Sequence, residues 1–296
     1  MNERKLRIFY EVATNLSMTE TAEKLYISQP AISQTIKELE NNLNIILFDR
    51  INKKLFLTYE GKVFLNYTRR ILNLYDESLD KIKDINTLNK GKLKIGASTT
   101  IGIYILTDII GKFTKKHKNI DTSITIENTK IIADMILENK IDFAFVEGPV
   151  HSSEIIVKEF LNDELVFITS PEHPWVKKKN VDIKEVENQK LIMREEGSGT
   201  REIVKRALKK NEVNYNIYLE LGNIEAIKRA VKADLGISCI SKRCVREEVK
   251  NNSLCIIPLK NTKIKRKLNI IHHNDKYLTK LFYHFMNFAK EESKEI

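Results

Sequence analysis

Two short turns carry the residue types that bind small anions. The first is Ser98-Thr99-Thr100 and the second is Gly197-Ser198-Gly199-Thr200-Arg201, and each lies beside a predicted helix start. The N–H groups at the start of a helix are free to bind an anion, and Arg201 adds a guanidinium that can donate two hydrogen bonds to one oxyanion. We therefore expect the turns to form an anion clamp in which Arg201 supplies most of the charge.

The same residues have a second interpretation as helix caps. A serine or threonine at the start of a helix accepts a hydrogen bond from the backbone of the first turn, and this stabilises the helix without any ligand. The sequence leaves this alternative open for Ser98, Thr100 and Ser198, and also for Thr200 with Arg201.

Motifs of the common enzyme classes are absent from the sequence. It contains no nucleophile elbow, no Walker loop and no acid/base pair of recognisable spacing. His272 and His273 are adjacent on a predicted strand and therefore face opposite sides, which is poor geometry for a metal. We expect no catalytic residue, no metal and no cofactor, but a small-molecule effector that is an anion.

Three predicted helices begin the chain. Apolar residues recur at helical spacing from Leu6 to Ala13. A capping box from Ser17 to Glu20 begins the second helix, and Ser28 begins the third with Pro30 in its first turn. Two short helices joined by a tight turn are typical of a helix-turn-helix. Residues 47–57 then predict two strands around an Asn52-Lys53 turn, which would form a wing.

One long helix is predicted to follow the wing, from about residue 59 to residue 90. Its apolar residues fall into a heptad seam, and such a stripe favours pairing with a second helix. The alternative is that the stripe packs on its own domain. We expect the seam to join two chains through Leu65, Leu72, Tyr75, Leu79 and Ile82.

Strands and helices alternate from residue 91 onwards, which predicts two α/β lobes with a mainly parallel sheet. We expect domains at 1–58 (DNA-binding), 59–90 (linker and dimerisation helix) and 91–296 (effector-binding). Lobe I would cover about 91–161 and 268–296, and lobe II about 162–267. A ligand would bind in the crevice between the lobes, at the carboxyl ends of their strands.

The amino-acid composition of the chain narrows the classes of partner that it could bind. The formal net charge is +10 and the pI about 9.2, which favours an anionic partner such as nucleic acid. Residues 1–90 hold 14 Lys and Arg against 12 Asp and Glu, so a DNA site there must depend on a local basic patch. The N-terminus lacks an apolar leader, and no stretch approaches the roughly 18 apolar residues of a membrane span. We expect a cytoplasmic protein.

Four segments resemble one known family. They are TAEKLYISQPAIS at 21–33, IKELE at 36–40, LFDR at 47–50 and LTYEG at 57–61. Together they resemble the helix-turn-helix signature of the LysR-type transcriptional regulators, although Thr35 stands where that family usually has glutamine. The resemblance implies an α+β chain with a winged helix-turn-helix, a linker helix and two lobes like a periplasmic-binding-protein fold. It also implies double-stranded promoter DNA, self-association into a dimer and a tetramer, and RNA polymerase as partners.

The third helix would place its first half in the major groove of DNA. Gln29 and Gln34 can pair with adenine edges, and Ser28 and Ser33 can contact phosphates. Each could instead be an ordinary solvated surface residue. The full set of expected DNA contacts is Ser28, Gln29, Pro30, Ala31, Ser33, Gln34 and Lys37 on the helix, with Arg50, Lys53 and Lys54 in the wing.

A different class of function is compatible with the second half of the chain. The α/β lobes alone could form a small-molecule-binding protein or an enzyme, with the N-terminal helices as an oligomerisation arm. Binding to duplex DNA, as opposed to turnover of a metabolite, distinguishes the two classes.

Overall fold

A computed structural model describes residues 1–52, 54–84 and 91–295. These residues fall into two compact units, which are residues 1–84 with 138–140, and residues 91–137 with 141–295. Within these ranges no helix is long and apolar enough to cross a membrane. The same residues contain no group of three or more His, Cys, Asp or Glu side chains arranged to hold a metal.

The first unit is a winged helix-turn-helix followed by a long helix. Its elements are α1 (Glu3–Asn15), α2 (Met18–Leu25), α3 (Gln29–Leu43), β1 (Phe48–Ile51), β2 (Lys54–Leu57) and α4 (Tyr59–Asp84). The Ser17 hydroxyl accepts a hydrogen bond from the Glu20 N–H at 3.2 Å, so the predicted cap of α2 is present. Strands β1 and β2 pair antiparallel to form the wing. The predicted fold class is confirmed in this unit.

A small apolar core joins the three helices and the wing. Phe9 is fully buried, and its ring packs against Phe48 and Phe64, with centroid distances of 5.6 and 4.8 Å. Ile32 and Leu39 bury the inner face of α3 in the same core. The outer face of α3 is consequently turned to solvent.

Helix α4 packs along α1 and does not leave the first unit behind. Phe64 and Leu65 contact the apolar core, and the Arg7 guanidinium bonds to Asp76 farther along the helix. Thr68 and Leu72 are buried within the chain. The first half of the expected seam is therefore turned inward.

The apolar stripe of α4 that the structure leaves exposed lies beside the expected seam. Tyr75 and Leu79, both expected in the seam, are exposed, whereas the side chain of Ile82 lies outside the described residues. The other large apolar side chains that are exposed among the described residues of this helix are Tyr59, Val63, Tyr67, Ile71 and Leu74.

The second unit is built on one continuous sheet with helices against it. Its strands are β3 (Gly91–Ser98), β4 (Ile120–Glu127), β5 (Phe143–Glu147), β6 (Ile155–Thr169), β7 (Leu191–Arg194), β8 (Ile217–Leu221), β9 (Ile237–Ser241), β10 (Cys255–Ile257) and β11 (Ile264–His273). The order across the sheet is β4-β3-β5-β11-β6-β9-β7-β8, and β10 pairs with β6. Its helices are α5 (Thr99–Ile101), α6 (Thr107–Lys116), α7 (Thr129–Leu137), α8 (Gly199–Lys210), α9 (Ile224–Lys232), α10 (Arg246–Lys250) and α11 (Lys280–Glu292).

Two lobes share this sheet through its two long strands. The strands at each end, β3 to β5 and β7 to β9, pair parallel within their lobe. Strands β6 and β11 run antiparallel to each other and cross from one lobe to the other. Each lobe has its own core, with Phe143 and Phe285 in lobe I and Phe167 and Trp175 in lobe II.

The crossing strands are longer than the sequence predicted. The apolar runs at 164–169 and 268–271 predict only part of each strand, since β6 begins at Ile155 and β11 begins at Ile264. Charged residues interrupt the added segments, and no apolar run in them is longer than three residues. They form strands because each pairs with the other along the crossing.

Candidate functional site

The start of α3 presents most of the expected DNA contacts to solvent. Ser28, Gln29, Pro30 and Ala31 are consecutive and exposed. Ser28 begins the helix without using its hydroxyl as a cap, so that hydroxyl is available to a ligand. Farther along the helix, Gln34 and Lys37 are exposed and Ser33 is half-buried.

Several side chains of α3 are already engaged within the unit. Gln34 Nε2 donates to Glu38 Oε1 at 3.1 Å, and Glu38 also pairs with Lys5 at 2.7 Å. The hydrogen bonds from Lys5 and Gln34 hold the pKa of Glu38 below its ordinary value. The Thr35 hydroxyl donates to the Ala31 carbonyl at 2.8 Å, so it is satisfied by its own helix.

The wing contributes cations beside α3. Arg50 and Lys54 are exposed, and Arg50 Nη2 lies 3.3 Å from the sulfur of Met18 at the start of α2. Lys53, which we expected to contact DNA, lies outside the described residues. Tyr26 was not among the expected contacts, yet it is 96% exposed in the turn between α2 and α3, with φ of 54°. An aromatic residue in the turn of a helix-turn-helix was the signal that could have identified it.

The first hydroxyl turn lies at the junction of the two lobes and is buried. The backbone N–H of Glu147, at the end of β5, donates to Ser98 Oγ at 3.0 Å. The Thr100 N–H donates to Glu147 Oε1 at 3.2 Å. The Ser98 hydroxyl does not cap the following helix, so the capping interpretation is wrong for this residue. Thr99 Oγ1 accepts a hydrogen bond from Arg194 Nη2 of lobe II at 3.2 Å.

The second turn begins α8 and meets the first lobe through backbone atoms. Gly197 has a φ of +85°, and a Cβ on Gly199 would lie 1.6 Å from the carbonyl oxygen of Glu147. Ser198 is the side-chain cap of α8, as the alternative interpretation stated. Thr200 Oγ1 accepts a hydrogen bond from Arg266 Nη1 at 2.8 Å.

Arg201 is directed away from the junction. Its guanidinium bonds to Glu220 and Glu196 and to the carbonyl oxygen of Arg194, all within lobe II. The hydrogen bond from Arg201 holds the pKa of Glu220 below its ordinary value. The structure thus brings Thr100 and Thr200 to one site, but Arg201 is neutralised by its own lobe.

Arg266 is the cation that lies between the lobes. Its side chain is fully buried, and its Nε donates to Asp163 Oδ2 at 2.7 Å, while Nη2 lies 3.3 Å from Glu147 Oε2. We call Thr100, Glu147, Arg266, Asp163 and Thr200 the interlobe network. Unpaired buried charges are strongly disfavoured, and here one arginine compensates two carboxylates.

Arg266 was not among the residues expected from the sequence, although the sequence contains a signal for it. Ile264, Arg266 and Leu268 alternate with exposed lysines along β11, and period-two alternation places all three on the same face. An arginine in register with buried apolar residues indicates an inward-facing charge that needs partners.

A second buried arginine, Arg194, ends strand β7. Its Nε and Nη2 donate to the carboxylate of Glu195, at 2.7 and 2.8 Å. Its Nη1 is buried without a hydrogen-bond partner among the described residues. This nitrogen, the start of α8 and the two threonines of the interlobe network give the junction the donors that an anion requires.

Two family models match the chain. The model described as "Bacterial regulatory helix-turn-helix protein, lysR family" matches residues 4–62. The model described as "LysR substrate binding domain" matches residues 86–294. The first match lies within the first unit, and the second covers nearly all of the second unit.

Individual relatives match over the same length. A "Probable RuBisCO transcriptional regulator" of Phaeodactylum tricornutum is 35% identical over 299 residues, covering 99% of this chain and 97% of the relative. The CcmR regulatory domain of Synechocystis PCC6803, solved in complex with 2-PG, is 28% identical with a TM-score of 0.65, and covers 70% of this chain and 99% of that one. Full-length CbnR, solved with its target DNA, shares the fold at a TM-score of 0.70 and 20% identity, covering 99% of this chain and 100% of that one.

Proposed function

We propose a function from one premise, that the chain belongs to the LysR family of DNA-binding transcriptional regulators. It is a regulator with a helix-turn-helix domain and an effector-binding domain. We propose that it binds duplex promoter DNA sequence-specifically, and that a small anion bound between the lobes changes its promoter contacts. The observation that carries the effector proposal is the buried charge network at the lobe junction.

DNA binding is proposed to use the exposed start of α3 and the wing. The major groove is about 12 Å wide and admits one helix. Gln29 is exposed at the first turn and can form two hydrogen bonds with adenine, whereas Arg50 and Lys54 in the wing suit phosphates. We propose that Tyr26, which is exposed in the turn before α3, contacts the DNA backbone.

The effector is proposed to bind where Thr100 and Thr200 meet. The start of α8 favours an oxyanion there, and so does Arg194 Nη1, which has no hydrogen-bond partner in the described part of the chain. The Glu147 carboxylate accepts the hydrogen bond of the Thr100 N–H and lies beside the Arg266 guanidinium. A bound anion would therefore compete with this carboxylate for both groups. Ligand binding thereby changes the contacts that hold the lobes together. The 2-PG bound by the CcmR regulatory domain is one anion to test.

Self-association is proposed to use the exposed stripe of α4. A helix with apolar residues at seam spacing favours a partner helix, and Tyr67, Ile71 and Leu74 offer that surface in each chain. The effector domains would join two dimers into a tetramer, and the promoter-bound assembly would contact RNA polymerase. A change at the lobe junction could then alter the spacing of the DNA-binding units.

The proposal is tested in two steps on the full-length protein. A thermal-shift screen of sulfur and nitrogen oxyanions and of phosphorylated metabolites, including 2-PG, identifies the effector. A ligand at about 100 times its Kd stabilises a protein by about 2.7 kcal/mol. Mobility shift on the duplex upstream of the chain's own coding sequence then measures whether that anion changes the complex.

A matched pair of variants locates the effector site. Thr200→Val should weaken the anion's effect while DNA binding without the anion is retained. Thr169→Val is the control, because Thr169 is equally buried and its hydroxyl has no hydrogen-bond partner among the described residues. If the anion changed the DNA complex equally in both variants, the ligand would bind elsewhere. Failure of the wild type to bind any duplex at low salt would contradict the DNA-binding proposal.

A further inference from the structure

A cavity of about 550 Å³ lies at the crossing of the lobes, beside the interlobe network. Its walls come from the crossing segments of β6 and β11 and from the turn that follows β9. Ligand-binding clefts commonly have volumes of about 300–1,000 Å³. The cavity is therefore large enough for a metabolite.

The lining of this cavity is strongly cationic. Two carboxylates, Asp163 and Glu164, face a larger set of cationic side chains, and both are in part compensated. Lys242 Nζ lies 3.9 Å from Glu164 Oε2, and Arg243 Nε lies 3.7 Å from Asp163 Oδ1. The cationic lining residues are Lys242, Arg243, Arg246, Lys263 and Lys265.

Lys263 and Lys265 are the most informative of these cations. They are exposed and alternate with the inward-facing residues Ile264 and Arg266 at the start of β11. Alternation places both lysines on one face of the strand. Three further cations from another segment are directed at the same space, and this convergence distinguishes the cavity from an ordinary solvated strand face.

Asp163 belongs to both sites. Its Oδ2 accepts from Arg266 in the interlobe network, and its Oδ1 accepts from Ser241 Oγ at 2.9 Å and faces Arg243 in the cavity wall. An anion that drew Arg243 toward itself would weaken one partner of Asp163. The cavity is therefore electrostatically connected to the junction where the effector is proposed to bind.

We propose that this cavity is a second anion-binding site that accepts a small, multiply charged phosphate compound. Arginine and lysine together suit phosphate, because arginine donates paired hydrogen bonds and lysine adds a compact charge. The volume exceeds what a single inorganic ion fills, so the ligand class is a phosphorylated metabolite. The site shares Asp163 with the interlobe network but contains neither Thr100 nor Thr200, and it does not depend on the effector proposed to bind at those threonines.

Binding of inorganic pyrophosphate to the full-length protein, measured by calorimetry at fixed ionic strength, tests the proposal. The variant Lys263→Gln/Lys265→Gln removes two cavity cations that are exposed, so the fold should be retained, and thermal unfolding checks this. The control is Lys158→Gln/Lys267→Gln, which removes the same amount of charge from exposed positions of β6 and β11 that do not line the cavity. A third variant, Thr200→Val, reports on the cleft between the lobes.

We expect saturable binding by the wild type and an affinity at least tenfold lower for Lys263→Gln/Lys265→Gln, because charge-assisted hydrogen bonds are lost. The control and Thr200→Val should stay within about twofold of the wild type, since neither removes a cavity cation. Absence of saturable binding, or an equal loss in the control, would overturn the proposal. Loss in Thr200→Val alone would also overturn it and assign the anion to the cleft. If the cavity variant weakened DNA binding but bound pyrophosphate normally, the lysines would be a DNA surface and the proposal would be wrong.

Discussion

The two candidate sites of this chain are built in opposite ways. At the start of α3 the exposed side chains are consecutive in the sequence, and the opposite face of the helix packs on the core. At the lobe junction the charged side chains are buried and come from segments that are far apart in the sequence. A surface that meets a polyanion can remain solvated until binding. A site for a small ligand must hold desolvated charges in its absence, and here Glu147 and Asp163 compensate Arg266. Substitutions at α3 should therefore change affinity, and substitutions at the junction should also change stability.

Arg266→Met gives the largest expected effect and tests this contrast directly. It removes the cation beside Glu147 and leaves Asp163 with only the more distant Arg243. Breaking a buried ion pair in this way destabilises by about 3–5 kcal/mol. Denaturant unfolding measures the change. The triple variant that adds Glu147→Gln and Asp163→Asn should recover part of the stability, because the uncompensated charges are removed. An unchanged unfolding midpoint for Arg266→Met would show that the ion pairs of Arg266 do not contribute to the stability of the fold.

Ile71→Glu should break the proposed dimer without unfolding the chain. Ile71 is 44% exposed within one chain, so the charge stays solvated in the monomer but is disfavoured in an apolar helix pair. Light scattering at micromolar concentration should report a lower mass. Leu72→Ala is the neighbouring control: it is buried within the chain, and we expect it to lower stability by about 2–5 kcal/mol. An unchanged mass for Ile71→Glu would exclude the exposed stripe of α4 as the dimer interface.

Gln29→Ala and Arg50→Ala should separate base recognition from phosphate binding. Loss of a two-bond contact with a base reduces discrimination by about 1–3 kcal/mol, so Gln29→Ala should weaken cognate DNA more than random DNA. Arg50→Ala should weaken both equally and lower the salt slope by about one. Both residues are exposed, so thermal unfolding should not change. If Gln29→Ala reduced binding to both DNAs equally, Gln29 would have no role in direct base recognition.

Arg201→Ala should have a small, pH-dependent effect. Arg201 holds the pKa of Glu220 below its ordinary value. This pair therefore stabilises the fold at pH values above the ordinary pKa of a glutamate, which is about 4.3. The contribution is lost as the pH falls through the lowered pKa, when Glu220 is protonated in both states. The stability difference between wild type and Arg201→Ala should thus narrow from pH 7 to pH 3. Glu220→Gln should show the same trend, and a difference independent of pH would exclude Glu220 as its cause.

The two sites also differed in what the sequence could predict. The helix-turn-helix was predictable because its signals are local, such as the Ser17 cap and Pro30 at the start of α3. The junction was predicted only through its two turns, because Asp163 and Arg266 become neighbours only when β6 and β11 pair. Their charge-rich segments do not resemble strands until that pairing exists.

Helix α4 shows a different limit. Apolar residues follow two adjacent stripes of this helix, and the heptad pattern alone does not state which one the chain covers. Packing on α1 settles it, since Leu65 contacts the core and Arg7 bonds to Asp76. The first half of the predicted seam therefore faces the inside of the chain, whereas Tyr75 and Leu79 in its second half are exposed.

The backbone contact between the lobes has a genetic consequence. At Gly199 a Cβ would meet the carbonyl oxygen of Glu147, and at Gly148 it would lie 2.6 Å from the Cα of Gly199. Because main chain meets main chain, any side chain added at either position acts as a wedge between the lobes. A selection for altered promoter output in the absence of effector should therefore recover alleles at these two codons. If the proposed dimer forms, such alleles should be dominant when both forms of the chain are present, since one altered subunit changes the geometry of the mixed dimer.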